Sequence, residues 1–293
     1  MNIFVTGAGG GLGTALVPAL VAAGHRLTAL ARNPAALPVL PGLTGLCGDL
    51  LTPATYATAL AGHDAVLHLA ALTHARTASL YRRGNVDVTA DLLAACAGHC
   101  PDARFLCVST RAVGQACGDY GQSKAEAEQL VRTSGLPWVI LRPAEVYGVG
   151  RGEAVHALAR ACAKGGALPM PGRGRHVLAP VHIADLIPAF LAALTAPAAV
   201  GGTYVLAGDP IAYAELADAV ARHCGQRLFK IPVPLGLVTL AARIACRVLR
   251  HPPIVPDQVA RLLCAKDTDS TAARRDLGFA PRALDVDAMV RGS

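Results

Sequence analysis

Charged and aromatic side chains are scarce in this chain, and each scarcity removes a class of function. Only 16% of the 293 residues are Asp, Glu, Lys or Arg, while 53% are hydrophobic. The mean hydropathy is +0.41, which suits a buried core and excludes a disordered or fibrous chain. Aromatics make up 4% and do not interleave with the basic residues, so no nucleic-acid partner is expected. The longest apolar tract, Ile231–Leu249, is interrupted by Pro232, Pro234, Arg243 and Arg247, which leaves no transmembrane helix. Met1 runs straight into Ile3, Phe4 and Val5 without the basic start and small-residue cleavage site of a secretory signal, and a cytoplasmic protein is expected. The nine cysteines form no CxxC pair and no Cys/His spacing of a metal site, so no metal is expected. Most of them, such as Cys96, Cys107, Cys162 and Cys246, lie in apolar runs and read as reduced core thiols. Cys117 stands apart because it lies close to candidate catalytic residues.

What is present is an excess of basic charge and a clear order of elements. With 27 Lys+Arg against 20 Asp+Glu the formal charge is +7, scattered along the chain and compatible with an anionic ligand or surface. Short apolar runs alternate with helical patterns through the first half, the signature of βα units feeding a parallel sheet. Strands are expected at Asn2–Thr6, Arg26–Ala31, Gly45–Cys47, Ala65–Ala70, Phe105–Ser109 and Val139–Leu141. Helices are expected from Leu12 to Gly24, kinked at Pro18, and over Val86–Ala97 and Gly121–Thr133. After Tyr147 the chain turns to Gly, Pro and Arg-rich segments, read as loop over Lys164–Arg175, before a strand at Tyr204–Ala207 and more helices. The fold class is therefore α/β, a Rossmann-like doubly wound parallel sheet with a small C-terminal substrate-binding region. The NAD(P)-binding domain is assigned 1–146 and 177–207, and the smaller region 147–176 and 208–293. No internal repeat is present.

The first strand runs into Thr6-Gly7-Ala8-Gly9-Gly10-Gly11-Leu12-Gly13. This is not GxGxxG, but glycine at 7, 10 and 13 permits a tight turn, close approach of a pyrophosphate to bare backbone, and close packing of helix on sheet. The helix start at Gly11 and Leu12 then aims free N–H groups and the positive dipole end at the phosphates. At the end of the second strand, Leu30-Ala31-Arg32-Asn33 carries no acid for a ribose hydroxyl. Arg32 can instead pair a 2′-phosphate, which favours NADP(H) over NAD(H), or stack on adenine whatever the cofactor. Asp49, followed by Leu50 after the third strand, suits the adenine amine or a simple turn.

In Tyr120-Gly121-Gln122-Ser123-Lys124 a tyrosine and a lysine four residues apart share one helix face. A phenol is a poor base at neutral pH, but a neighbouring ammonium favours the phenolate, so Tyr120 can act as general acid/base while Lys124 tunes it and holds a ribose.

Taken in order, Thr6-Gly7-x-x-Gly10-x-x-Gly13, Val66-Leu67-His68-Leu69-Ala70-Ala71, Asn85 leading a helix, Val108-Ser109-Thr110, Tyr120-x-x-x-Lys124, Leu141-Arg142-Pro143-Ala144-Glu145-Val146-Tyr147-Gly148 and Pro180-Val181-His182-Ile183-Ala184-Asp185 resemble an extended short-chain dehydrogenase/reductase, the NAD-dependent epimerase/dehydratase family. The resemblance covers nearly the whole chain. It implies that Thr110 hydrogen-bonds the substrate oxygen with Ser109 beside the cofactor. It also implies that Leu69, Ala70 and Ala71 line the cofactor, that Pro143 and Val146 border the nicotinamide, and that the chain forms a homodimer through the helices containing Tyr120-Lys124 and Val86-Ala97. Two departures matter. Only nine residues, Arg111 to Asp119, separate Thr110 from Tyr120, where the family often inserts about twenty, so a more open site is expected. Leu178 stands where many nucleotide-sugar members carry an arginine that grips a diphosphate. Arg173 and Arg175 can substitute for it or form a solvated basic loop. Arg111 follows the catalytic Thr110, and Glu145 lies beside the nicotinamide; both are candidate substrate residues, and Glu145 can equally pair an arginine. His68 and His182 read as structural.

Residues Pro234 to Leu249 place Leu237, Leu240, Ala241, Ile244 and Val248 on one helical face, with Arg243, Arg247 and Arg250 elsewhere. Core packing, a dimer contact or peripheral docking on a lipid surface are the readings. The sequence thus predicts an NAD(P)-dependent oxidoreductase acting on the carbonyl or secondary hydroxyl of a small molecule. An NAD-dependent sugar epimerase and a non-catalytic nucleotide-binding subunit are the alternatives.

Overall fold

The computed structural model describes residues 1–148, 154–249 and 255–291, so Arg250 lies outside it. The first half runs β1 (Asn2–Thr6), α1 (Gly11–Ala22), β2 (Arg26–Ala31), β3 (Leu43–Cys47), β4 (Ala65–His68), α2 (Ala78–Tyr81), α3 (Val88–His99), β5 (Arg104–Val108), α4 (Gly118–Arg132), β6 (Trp138–Pro143) and β7 (Val146–Tyr147). The second half runs α5 (Ala154–Lys164), β8 (Gly166–Pro171), β9 (Val177–Leu178), β10 (Val181–His182), α6 (Ile183–Thr195), β11 (Gly202–Leu206), β12 (Ile211–Ala212), α7 (Tyr213–His223), β13 (Leu228–Val233), α8 (Leu235–Val248), α9 (Pro256–Leu263), α10 (Thr271–Leu277) and α11 (Val286–Arg291).

Seven strands form one sheet in the order β11-β6-β5-β4-β1-β2-β3, and every pairing in it is parallel. This is the doubly wound, Rossmann-like sheet expected from the sequence. Strand polarity follows from burial on both faces. Ile3 and Val5 point into one core with Leu16, Leu20 and Phe190, while Phe4 points into the other with Leu92, Cys96 and Val131. Each such side chain contributes about 1.5–3 kcal/mol on burial. The strand order reverses between β1 and β4, so the crevice beyond the carboxyl ends of these two strands is the natural ligand position. α1 continues through Pro18 as one helix.

The later chain builds a core of its own around Tyr147, Leu158, Leu168, Met170, Leu216, Val220 and Met289. The segment read as loop over Lys164–Arg175 contains a strand: β8 pairs in parallel with β13 from Gly166↔Leu228 to Val233↔Pro171. Its alternation is real, with Leu168 and Met170 buried and Ala167 and Pro169 exposed, but glycine and proline at its ends hid it. The four cysteines named as reduced thiols, Cys96, Cys107, Cys162 and Cys246, are free, but the disulfide of the exceptional Cys117 was not foreseen. Cys117 and Cys264 form a disulfide with Cα atoms 5.2 Å apart, because α9 brings Cys264 back over the start of α4.

Candidate active site

The glycine loop leaves β1 at the crevice. Gly7 has φ +76°, and a Cβ there would stand 2.5 Å from the Ala70 nitrogen, so only glycine lets the loop pass this close to the chain after β4. A Cβ on Gly13 would stand 2.4 Å from the Ala8 oxygen, which is the close packing of helix on loop that the spacing predicted. Gly9 has open space around its Cα, and Gly10 meets only the Gly7 oxygen. α1 starts with no side-chain cap and no acid in its first turn. Its N–H groups around Gly11 and Leu12 are therefore available to an anion brought in on the open side. These features fit a dinucleotide pyrophosphate.

On the other side of β1, the ends of β2 and β3 carry Arg32 and Asp49. Arg32 is exposed, and among the described residues no acid pairs with it. Asp49 Oδ1 accepts the Leu51 N–H at 3.0 Å, so it forms a local turn, and the partly buried Leu50 lies within that turn.

After β4, Leu69, Ala70, Ala71 and Leu72 run across the crevice. They are held by Asn85, whose Oδ1 accepts the Leu72 N–H at 2.7 Å and whose Nδ2 donates to the Leu72 oxygen and to Ser123 Oγ at 2.9 Å. Asn85 lies in a π-helical segment, Arg82–Asp87, that joins α2 to α3, a device that re-aims side chains at sites. His68 is buried between the hydroxyls of Thr6 and Thr89, at 2.8 and 3.1 Å. Burial, with the nearby Lys124 charge, lowers its pKa to about 3, so it is a neutral structural histidine. His182 caps α6 by accepting the Ala184 N–H and stands edge-on to Tyr147.

β5 ends in Ser109 and Thr110, and α4 presents Tyr120 and Lys124. Lys124 is 2% exposed and donates from Nζ to the Val108 oxygen at 2.9 Å, which ties α4 to the strand end two residues before Thr110. Thr110 is partly exposed and its Oγ1 accepts the Ala112 N–H. Tyr120 is 7% exposed and stands edge-on to Tyr81, with centroids 5.9 Å apart. Burial pushes the Tyr81 phenol up to about 12, so Tyr81 stays protonated while it donates to Asp257 Oδ2.

The later chain was read only as further helices, and nothing in its pattern placed α9 (Pro256–Leu263) beside Tyr120. Asp257 accepts the Tyr120 N–H at 3.1 Å and pairs with Arg261, whose guanidinium carbon lies 4.5 Å from the centre of the Tyr120 ring. The eight residues of α9 carry no motif, and only the fold brings Asp257 back across 137 positions to Tyr120. The Cys117–Cys264 bond fastens the same contact.

At the end of β6, Pro143 is buried and Val146 is 6% exposed. Glu145 Oε2 accepts from Arg111 at 2.6 Å and from the Ala179 N–H at 3.0 Å, with Lys266 at 3.6 Å from Oε1. Burial alone would raise the Glu145 carboxyl, but Arg111 and Lys266 hold it below its ordinary value. Arg111 is buried and also donates to the Val177 oxygen, so this pair ties the end of β5 to β6 and β9. Arg173 and Arg175 are both exposed on the turn after β8. Arg173 has φ +63°, a left-handed conformation that a non-glycine residue rarely adopts.

A family model described as NAD(P)H-binding matches residues 7–166. The 2-alkyl-3-oxoalkanoate reductase of Stenotrophomonas maltophilia is 29% identical over 96% of this chain and 95% of its own. The 3 beta-hydroxysteroid dehydrogenase/Delta 5-->4-isomerase of Mycobacterium tuberculosis is 30% identical over 96% of this chain and 86% of its own. Among solved structures, the UDP-glucuronic acid 4-epimerase of Bacillus cereus, in complex with UDP-glucuronic acid and NAD, matches with a TM-score of 0.77 over 99% of this chain and 96% of its own. At 23% identity that likeness concerns the fold.

Proposed function

The chain belongs to the extended short-chain dehydrogenase/reductase family of NAD(P)-dependent oxidoreductases and epimerases, and from that premise we propose that it is an NADP(H)-dependent reductase of a ketone on an apolar small molecule. The observation that carries the reading is the Lys124 Nζ hydrogen bond to the Val108 oxygen, which ties the helix bearing Tyr120 and Lys124 to the strand end that leads into Ser109 and Thr110. The apolar substrate follows from the two relatives, named for an oxoalkanoate and a hydroxysteroid, and from Leu178 in place of a diphosphate-gripping arginine.

A nicotinamide dinucleotide would be held at its pyrophosphate by Gly7, Gly10, Gly11, Leu12 and Gly13, and along the crevice by Leu69, Ala70, Ala71, Ser109, Pro143 and Val146, and it would supply the hydride. Arg32 would pair the 2′-phosphate, and Asp49 and Leu50 would lie beside the adenine. Thr110 donates its hydroxyl to the substrate oxygen, and Tyr120 gives that oxygen the proton it needs to become an alcohol. Lys124 and Arg261 set positive charge beside the phenol, which favours the phenolate left behind. Lys124 reaches Val108 at the same time and so holds Tyr120 and Thr110 in one frame, the orientation from which most of the rate gain arises. Arg111 and Glu145, already paired with each other, shape the substrate side of the site, while Arg173 and Arg175 rim it.

The test is Tyr120→Phe. Turnover of a ketone with NADPH should fall about 10²–10⁴-fold, with cofactor affinity retained. Unchanged turnover would overturn the assignment of Tyr120.

A further inference from the structure

We propose that α8 docks this protein on an anionic lipid surface, from which the site takes an apolar substrate. Leu237, Leu240, Ile244 and Val248 are 58%, 53%, 52% and 75% exposed, and Ala241 is exposed among them. Their spacing of three and four residues draws one apolar stripe along the helix. The opposite side rests on the protein through the buried Ala242. Of the three readings of this face, core packing within the chain is therefore excluded. The strand that leads into α8 adds Phe229 and Ile231, 72% and 50% exposed. No described helix is long and apolar enough to cross a membrane, so the geometry is that of a helix lying in the plane of an interface.

Charge selects the occupant. From position 219 to 256 the sequence contains no Asp or Glu, but it carries Arg222, Arg227, Lys230, Arg243, Arg247 and Arg250. Arg243 and Arg247 are exposed, and among the described residues neither has a carboxylate partner. At 3.6 residues per turn both project about 80–120° from the centre of the stripe, along one flank, where long cationic side chains reach headgroup phosphates while the stripe enters the acyl boundary. A second copy is a poor occupant. A two-fold pairing through α8 would set these arginines against their own copies with no acid in the stretch to neutralise them.

The surface also adjoins the candidate site. α8 packs against α9, α9 holds Arg261 over Tyr120, and the Arg76 guanidinium, just beyond the Leu69–Leu72 run, donates to the Cys246 carbonyl of α8. A helix docked on its stripe therefore sets the rim of the crevice at the lipid surface. The delivery of substrate, though not the docking, rests on the reductase reading.

Flotation of the full-length protein with vesicles tests this, using phosphatidylcholine alone and phosphatidylcholine with about 30% phosphatidylglycerol. The wild type should float with the anionic vesicles and at least about tenfold less with the neutral ones or in high salt. Leu240→Glu with Ile244→Glu, and separately Arg243→Glu with Arg247→Glu, should each lower binding at least about tenfold. All four side chains are exposed, so the melting curve and NADPH-dependent turnover of a water-soluble ketone should be unchanged. Absence of wild-type binding to anionic vesicles, or binding by either variant equal to that of the wild type, would overturn the proposal. So would a dimer that Ile244→Glu dissociates without any vesicle binding, which would assign the face to a second copy. Vesicle binding with no gain in turnover of a long-chain ketone presented in those vesicles would overturn delivery alone. Turnover of the water-soluble ketone reports separately on the reductase reading.

Discussion

Single residues in this protein are best understood by what holds their charge. Glu128 is buried between Arg142, at 2.8 and 2.6 Å, and Arg132 at 2.7 Å. Burial would raise its carboxyl, but the Arg142 hydrogen bonds hold it below the ordinary range, as Arg111 and Lys266 do for Glu145. Both carboxylates thus have folded pKa values below their unfolded ones. The stability they contribute is complete above an unfolded pKa of about 4.3 and is lost as pH falls through the folded values. Urea midpoints should decline below about pH 5, and the decline should be shallower in Glu128→Gln than in the wild type; parallel declines would show that Glu128 does not carry this linkage. Arg111→Met should cost about 3–5 kcal/mol at neutral pH because it leaves Glu145 with a weaker partner in a mostly buried place. At this scale the close approach at Gly7 and the shared helix of Tyr120 and Lys124 were legible, since each belongs to a short spacing pattern. Asp257 and Arg261 were not, because a contact made between distant elements leaves no local spacing to read.

Elements were legible in proportion to how far local pattern dictated them. β2 was read at Arg26–Ala31, as observed, because turns bound it on both sides. β8 and β13 were missed because their pairing is with each other across more than sixty positions, and because glycine and proline interrupt the composition of a strand. α9 is the element whose placement depends most on a covalent tie. The Cys117–Cys264 bond spans 147 positions, so the chain-entropy account gives an upper value of about 5 kcal/mol, with 2–4 kcal/mol the usual yield. Cys264→Ser should therefore lower stability to urea by about 2–4 kcal/mol, and reductant should do the same to the wild type without affecting the variant. Amide exchange should quicken first in 255–264, which packs on α4 by a few side chains, and leave the seven-stranded sheet unchanged. A wild type indifferent to reductant would show that these thiols are not joined in solution.

The whole molecule gathers its candidate site by topology. Because all seven strands are parallel, the glycine loop, Arg32, Asp49, Leu69–Ala71, Thr110 and Pro143 emerge at one edge of the sheet from strand ends far apart in sequence. α4 and α9 then close over that edge. A dinucleotide bound along it as proposed would engage β1, β2, β4, β5 and β6 at once, and so should stabilise the molecule as a unit. At a concentration about one hundred times its Kd the gain is about 2.7 kcal/mol. A family of NAD(P)-dependent enzymes leaves the choice of nucleotide to the few groups at the adenosine end, and here the exposed Arg32 replaces the acid that would favour a free ribose hydroxyl. NADPH should therefore bind at least about tenfold tighter than NADH, a difference of about 1.4 kcal/mol, and should raise the melting temperature further at equal concentration. Arg32→Ala should bring the two nucleotides together by weakening NADPH alone, since the ribose hydroxyl of NADH makes no call on the guanidinium charge. Equal affinities in the wild type would overturn the 2′-phosphate role, and a tightly retained NAD would turn the reading from reduction with a released cofactor to epimerisation.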